Sequence, residues 1–251
     1  MQVLMFSNRG HGTTAVKAAL RMGCDVLVVS RPLKRRPIKR RLANLVRPFR
    51  DPFEEFKHPS DLAPSVPSSK LNELPGMQLS PDLILCCSFH RLIPETVLRM
   101  APVAVNVHAG LLPQRAGGTP NRWAILEGDK ETGVTAHLMT GQFDAGDIIW
   151  QTRTPIDPNE LWGDLELKLT PLVDGAVTFL IRSMLDGEPF GGHPQVPVKQ
   201  PSYRGLADDK DPRLLTVEEA RKVCRATLPK FCGLHICQTR LSQDRCGLLR
   251  R

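Results

Sequence analysis

An asparagine and a histidine two positions apart, Asn106 and His108, close a run of small and β-branched residues that begins at Val103. Side chains two apart on a strand point to one side, so this pair faces a single crevice. The crevice lies at the carboxyl end of the strand, where open α/β sheets place their ligands. A Gly/Pro-rich loop with Pro113, Gly117 and Gly118 follows, and further on comes a polar turn, residues 140–147, that carries Asp144 and Asp147. His137 and Thr135 lie on the strand that feeds this turn. A lone histidine at such a position reads as structural. An amide, an imidazole and a carboxylate together are the parts of an acyl-transfer site. The first two can stabilise an oxyanion, and the carboxylate can hold the imidazole charged or take up a proton.

A second constellation follows the first apolar run. Gly10-His11-Gly12-Thr13-Thr14-Ala15 has the form G-x-G-x-x-A. Glycines there let backbone N–H groups approach a phosphate at a helix N-terminus, which makes Gly10, His11, Gly12 and Thr13 candidates for a substrate phosphate. A dinucleotide site for NAD needs an acidic residue after the second strand, but the chain has Ser30-Arg31. That ending suits NADP, so an NADP-dependent oxidoreductase stays open as a rival of another class. So does a tight turn that binds nothing.

These residues need a frame. Residues 3–6 read as a strand, 13–21 as a helix and 25–30 as a second strand, the opening of a doubly wound, mostly parallel sheet. Residues 81–87 and 103–107 form continuous apolar runs, as buried parallel strands do. Short helices are expected at 94–100 and 120–127, strands at 134–139 and 148–154, and a long helix over 160–185 stopped by Gly187. The Pro/Ser-rich stretch 59–75 reads as loop or linker. Thr216 with Glu219 three residues on marks the cap of a further helix, 216–228. The organisation expected is a Rossmann-like catalytic domain over 1–187 and a small C-terminal α/β appendage over 188–251.

With 41% hydrophobic residues among 251, the chain can bury a core. No apolar run spans a bilayer and the opening run breaks too early for a signal peptide, so the reading is a cytoplasmic protein that needs no membrane. The net charge of +8 points to an anionic partner, and its concentration in residues 31–50 reads equally as a solvated helix or loop or as a phosphate-attracting patch. Aromatic residues at 5% with one tyrosine argue against a stacking platform for single-stranded nucleic acid. Seven cysteines without CxxC spacing suit a reducing compartment. Cys232, His235, Cys237 and Cys246 match no standard zinc spacing, and no metal is expected. The sequence leaves a homodimer open.

The stretch Val105-Asn-Val-His-Ala-Gly-Leu-Leu-Pro-Gln-Arg-Ala-Gly-Gly-Thr-Pro-Asn-Arg-Trp-Ala-Ile125, followed by Thr132-Gly-Val-Thr-Ala-His137 and Asp144-Ala-Gly-Asp-Ile148, resembles the 10-formyltetrahydrofolate-dependent formyltransferase family. The resemblance implies transfer of a formyl group from 10-formyltetrahydrofolate, as co-substrate, to an amine. Asn106, His108 and Asp144 would be catalytic, and His137 and Thr135 would order a water and the Asp144 turn. The folate would lie between Phe89, Arg91, Leu92 and Ile93 and the turn Thr140, Gly141, Gln142 and Phe143. Gly110 stands where the family usually has serine, and Arg115-Ala-Gly-Gly118 carries an inserted alanine. Pro120-Asn-Arg-Trp123 is closer to the sugar and tRNA branches than to the purine transformylase. Methionyl-tRNA formyltransferases carry a further barrel that grips tRNA, for which 188–251 leaves little room, and 216–238 resembles the short tail of the sugar enzymes. A nucleotide-linked amino sugar is therefore the expected acceptor, with methionyl-tRNA as the alternative.

Overall fold

The computed structural model describes residues 1–32, 56–188, 190–196, 198, 218, 222, 225 and 226. The basic stretch beyond Pro32, the expected helix 216–228, the tail 216–238 and the C-terminal cysteines lie largely or wholly outside them.

A seven-stranded sheet carries the molecule. Its strands are β1 (Gln2–Ser7), β2 (Asp25–Ser30), β3 (Ser65–Pro67), β4 (Leu83–Cys87), β5 (Val103–His108), β6 (Glu131–Leu138) and β7 (Ile148–Pro155). Their order is β3-β2-β1-β4-β5-β6-β7. The first five run parallel, and β6 and β7 are antiparallel to their neighbours. Covered on both faces, β1 and β4 are apolar without alternation: Val3, Leu4, Met5 and Phe6, and every residue of β4, are buried.

Helices α1 (His11–Arg21) and α4 (Trp162–Asp186) cover one face. On α4 the buried stripe runs Leu165, Leu169, Val173, Ala176, Val177, Leu180, a spacing of one helical face. Gly187 ends it in the left-handed conformation, φ 71°. The other face is covered by the 3-10 turns Ser68–Gly76 and the single-turn α2 (Glu95–Leu98). Helix α3 (Pro120–Glu127) packs with Ile156, Leu165 and Ala226 in a third small cluster.

Residues 59–75 are not a linker. A 3-10 turn at Pro59–Asp61 is closed by the His58 ring, which accepts from Ser60 N–H, and by the Asp61 carboxylate, which accepts from His58 N–H. Then β3 joins the sheet edge, and Leu71 and Leu74 enter the core. Three residues are too few for periodicity to register, and an edge strand tolerates its proline. Helix α1 also starts two residues earlier than expected, because Gly10, at φ 93°, caps it. Among the described residues no helix is long and apolar enough to cross a membrane.

Candidate active site

The carboxyl end of β5 gathers the polar groups, and strand pairing explains how. In the antiparallel β5–β6 register Asn106 lies opposite His137, and His108 opposite Thr135. Directly opposed residues share a face, so four polar side chains project into one place. The register shifts between Ala136 and His137, an irregularity of the kind that re-aims a side chain. The turn after β6 then brings Asp144 back over them, in the left-handed conformation at φ 52°.

The Asp144 carboxylate is the hub. Its Oδ1 accepts from Asn106 Nδ2 at 3.2 Å, and its Oδ2 accepts from the Gly117 main-chain N–H at 2.8 Å. His108 Nδ1 lies 3.7 Å and His137 Nε2 3.5 Å from Oδ1. Burial opposes ionisation of Asp144. The charge of a His108 imidazolium, hydrogen bonding from the His137 side and the Gly117 N–H outweigh it and hold the carboxyl well below the usual carboxylate range. Asp144 is therefore an anion at every physiological pH.

Carbonyl partners decide which ring nitrogens carry protons. His108 Nε2 is 2.7 Å from the Arg115 carbonyl, which can only accept, so Nε2 bears a proton and Nδ1 faces Asp144. His137 Nδ1 likewise donates to the Leu138 carbonyl at 2.8 Å, leaving Nε2 to accept from Asn106 Nδ2 at 3.0 Å. A proton on His137 Nε2 aimed at Asp144 competes with that bond. Of the two contacts of His137 Nε2, the one to Asn106 is the shorter, 3.0 Å against 3.5 Å to Asp144. Both N–H groups of Asn106 are thus engaged, one on His137 and one on Asp144, and an incoming oxyanion must draw one of them away.

Thr135, expected from the sequence to help order the Asp144 turn, has its hydroxyl on a different loop. Its hydroxyl donates to the Gly110 carbonyl at 2.7 Å and accepts from Leu112 N–H and Gln151 Nε2, bracing the loop after His108. Gln151 also donates to the Leu112 carbonyl at 2.9 Å. At the far end of that loop Arg115 is buried between Asp129 and Glu127, with Nη2–Oδ1 at 2.6 Å and Nη1–Oε2 at 2.7 Å. Gly110 has its own reason: a Cβ there would come within 2.7 Å of Pro120 Cβ and 2.9 Å of His108 Nε2. Sequence reasoning missed Gln151, the Arg115 carbonyl and the Gly117 N–H. The last two are main-chain groups, which leave no mark in residue type.

The segments expected to hold folate flank this cluster. Phe89 packs edge-on against Phe6, with ring centroids 5.4 Å apart, and Ile93 is buried in the core. Leu92 and Phe143 are instead 48% and 62% exposed. Arg91 Nη1 donates to the Ser68 carbonyl at 2.6 Å. Thr140, Gly141 and Gln142 form an exposed turn, in which Gln142 N–H donates to Thr140 Oγ1. A hollow of about 350 Å³ opens between α2 and the β5–β6 margin, lined by Leu98, Ala104, Met139, Thr140 and Gly141 among others.

The turn Gly10–Thr13 is not open. All four residues are buried. His11 Nε2 donates to the Glu166 carbonyl at 2.8 Å, and Thr13 Oγ1 donates to the Lys57 carbonyl at 2.8 Å. Gly12 is needed for packing, since a Cβ would lie 2.9 Å from the Cys87 carbonyl. The two polar side chains of the expected phosphate cradle are thus engaged with the protein's own carbonyls.

A doubly wound sheet with an amide, an imidazole and a carboxylate converging past one strand end defines a group-transfer enzyme. The formyl transferase family model matches residues 1–173, and the chain belongs to that family and thereby to the enzymes of folate-dependent formyl transfer. It is 32% identical over 237 residues to the methionyl-tRNA formyltransferase of Lactobacillus delbrueckii, covering 90% of this chain and 72% of that one. The match to the methionyl-tRNA formyltransferase of Limosilactobacillus fermentum, 39% identical over 124 residues, covers 47% of this chain and 39% of that one. The fold is shared with a 4-N formyltransferase from Francisella tularensis, at TM-score 0.64, 20% identity and 90% and 87% coverage. It is shared too with an N-formyltransferase from Helicobacter canadensis solved with folinic acid and dTDP-3-aminofucose, at TM-score 0.64, 15% identity and 90% and 80% coverage. Family membership sets aside the NADP oxidoreductase.

Proposed function

We propose that the chain moves the formyl group of 10-formyltetrahydrofolate onto a primary amine, with Asn106, His108 and Asp144 as catalytic residues. The observation that carries this is the meeting of all three on one carboxylate, with Asn106 and His108 within 3.2 and 3.7 Å of Asp144 Oδ1. As the amine attacks, the formyl oxygen gains negative charge, which one Asn106 N–H and the protonated His108 are suited to receive. Asp144, a fixed anion facing His108 Nδ1, is the base toward which the amine's proton can pass; the tetrahedral centre then breaks its bond to folate N10, which takes up a proton and leaves as tetrahydrofolate. The exposed apolar Leu92 and Phe143, on the two segments that flank the cluster, suit the folate ring.

For the acceptor we favour the amine of a nucleotide-linked sugar. Supporting this are the resemblance of residues 216–238 to the short tail of the sugar enzymes, and the Helicobacter canadensis structure's complex with dTDP-3-aminofucose. Methionyl-tRNA is the second reading, favoured by the 32% identity over 237 residues. The test is a panel of nucleotide-linked amino sugars and methionyl-tRNA, each with 10-formyltetrahydrofolate, followed by the absorbance of tetrahydrofolate released. Turnover with a sugar amine and none with tRNA supports the first reading. Turnover with tRNA that falls steeply with salt establishes the second. No turnover with any amine overturns the proposal.

A further inference from the structure

The chain does not leave the catalytic body at Gly187, where the domain boundary is expected. Residues 190–196 return along β7, with His193 and Ile148 exchanging two main-chain hydrogen bonds of 2.9 Å. One residue before His193, Gly192 sits so close to Asp147 that a Cβ would come within 2.7 Å of the Asp147 Cβ. Two residues after His193, Gln195 Nε2 donates to the Asp144 carbonyl at 2.9 Å and to the Gly146 carbonyl at 2.6 Å. The strap thus grips the Asp144 turn at Asp144, Gly146, Asp147 and Ile148.

That turn needs holding. Asp144 adopts φ 52°, a conformation that costs energy in any residue with a Cβ and persists only when its surroundings impose it. From the site side it is tied by Gly117 N–H and Asn106 Nδ2 to its carboxylate. From the opposite side, among the described residues, the side-chain bonds to its main chain come from Gln195. A primary amide has two N–H groups, and Gln195 commits them to two carbonyls of the same turn.

We propose that Gln195 is a positioning residue for formyl transfer: by holding the Asp144 and Gly146 carbonyls it aims the Asp144 carboxylate at Asn106 and His108. The inference rests on the proposed role of Asp144, and Gln195 itself touches none of the three side chains by any described contact. It lies beyond the residues 1–173 that the family model matches. Misplacement by about 1 Å of a group at a reacting centre costs on the order of a hundredfold in rate.

The test titrates Asp144 directly, by NMR of protein carrying ¹³C-labelled aspartate, with Asp144→Asn assigning the signal. The charged and titratable groups facing Asp144 are His108 from β5, His137 from β6 and Cys86 from β4, with the Gly117 N–H from the loop. In Gln195→Met, similar in length but without N–H donors, those contacts loosen. The expected results are a carboxyl that titrates closer to the ordinary aspartate range, and a kcat about tenfold to a hundredfold lower with the melting temperature retained. Gly192→Ala, which pushes the strap away from Asp147, is a second variant expected to act in the same direction. An unchanged Asp144 titration with unchanged kcat in both variants overturns the inference. Should the wild type transfer no formyl group while its Asp144 titration still responds to Gln195→Met, the proposed function falls, and what stands is that Gln195 holds the Asp144 carboxylate in place.

Discussion

Two glycine-bearing turns lie at the carboxyl ends of parallel strands, each with a histidine, and they have opposite fates. After β1, His11 is buried with its ring against Glu166, Thr13 is bonded to the Lys57 carbonyl, and Gly12 is pressed on Cys87. At the end of β5, His108 is also buried and also bonded to a carbonyl, yet its second nitrogen faces an anion, Asp144, that Asn106 and His137 share. Glu166 is satisfied by Asn121 Nδ2 and Trp162 Nε1, each at 2.9 Å, and it locks α3 and α4 to α1. Asp144 is left among groups that can still exchange partners. Residue type does not separate the two turns; what their partners leave unspent does.

The largest effect that could break this contrast comes from the second turn. Asn106→Ala, His108→Ala and Asp144→Ala are each expected to lower turnover at least about a hundredfold while the protein still folds, read by kcat beside a thermal melt. His11→Ala should do the reverse, costing about 1–3 kcal/mol of stability by stranding the groups around Glu166 and sparing kcat. A His11 variant as inactive as His108→Ala would dissolve the distinction. Gly12→Ala forces a methyl against the Cys87 carbonyl, and denaturant unfolding should show a loss of about 1–3 kcal/mol.

A finer probe sits beside His108. Gly110→Ser restores the residue usual in the family but drives its Cβ toward Pro120 and the His108 ring. A fall in kcat of about tenfold is expected, with folate affinity little changed, since displacement of a reacting group is felt in turnover first. The smallest effect is in acid. The folded-state pKa of Asp144 lies below its ordinary value of 3.8, so its stabilising contribution is whole above that value and drains away as the pH falls through the folded one. Below the ordinary histidine range, the stability of wild type relative to Asp144→Asn should therefore hold down to about pH 4 and decline below it, as urea unfolding at several pH values would show.

Much of the frame was legible. Residues 25–30 and 120–127 form the strand and helix expected of them, because continuous β-branched runs and a helix bounded by proline and glycine are local signals. Asn106 and His108 could be paired from spacing alone. Residues 59–75 could not be read, since β3 is three residues long and owes its form to pairing with β2. Nor could the roles of Thr135, Gln151 and Gln195, whose partners are main-chain carbonyls and hydroxyls far away in sequence.

By itself the order of residues determined the sheet, its carboxyl-end crevice and the three groups suited to acyl transfer, because period and turn chemistry act over a few neighbours. Only the tertiary structure decided that His137 faces Asn106 across β5 and β6, and that a strap past Gly187 grips the Asp144 turn. It alone closed the Gly10 turn. Those outcomes depend on which distant groups arrive to accept or donate a hydrogen bond, and strand register and chain return set that, not local sequence.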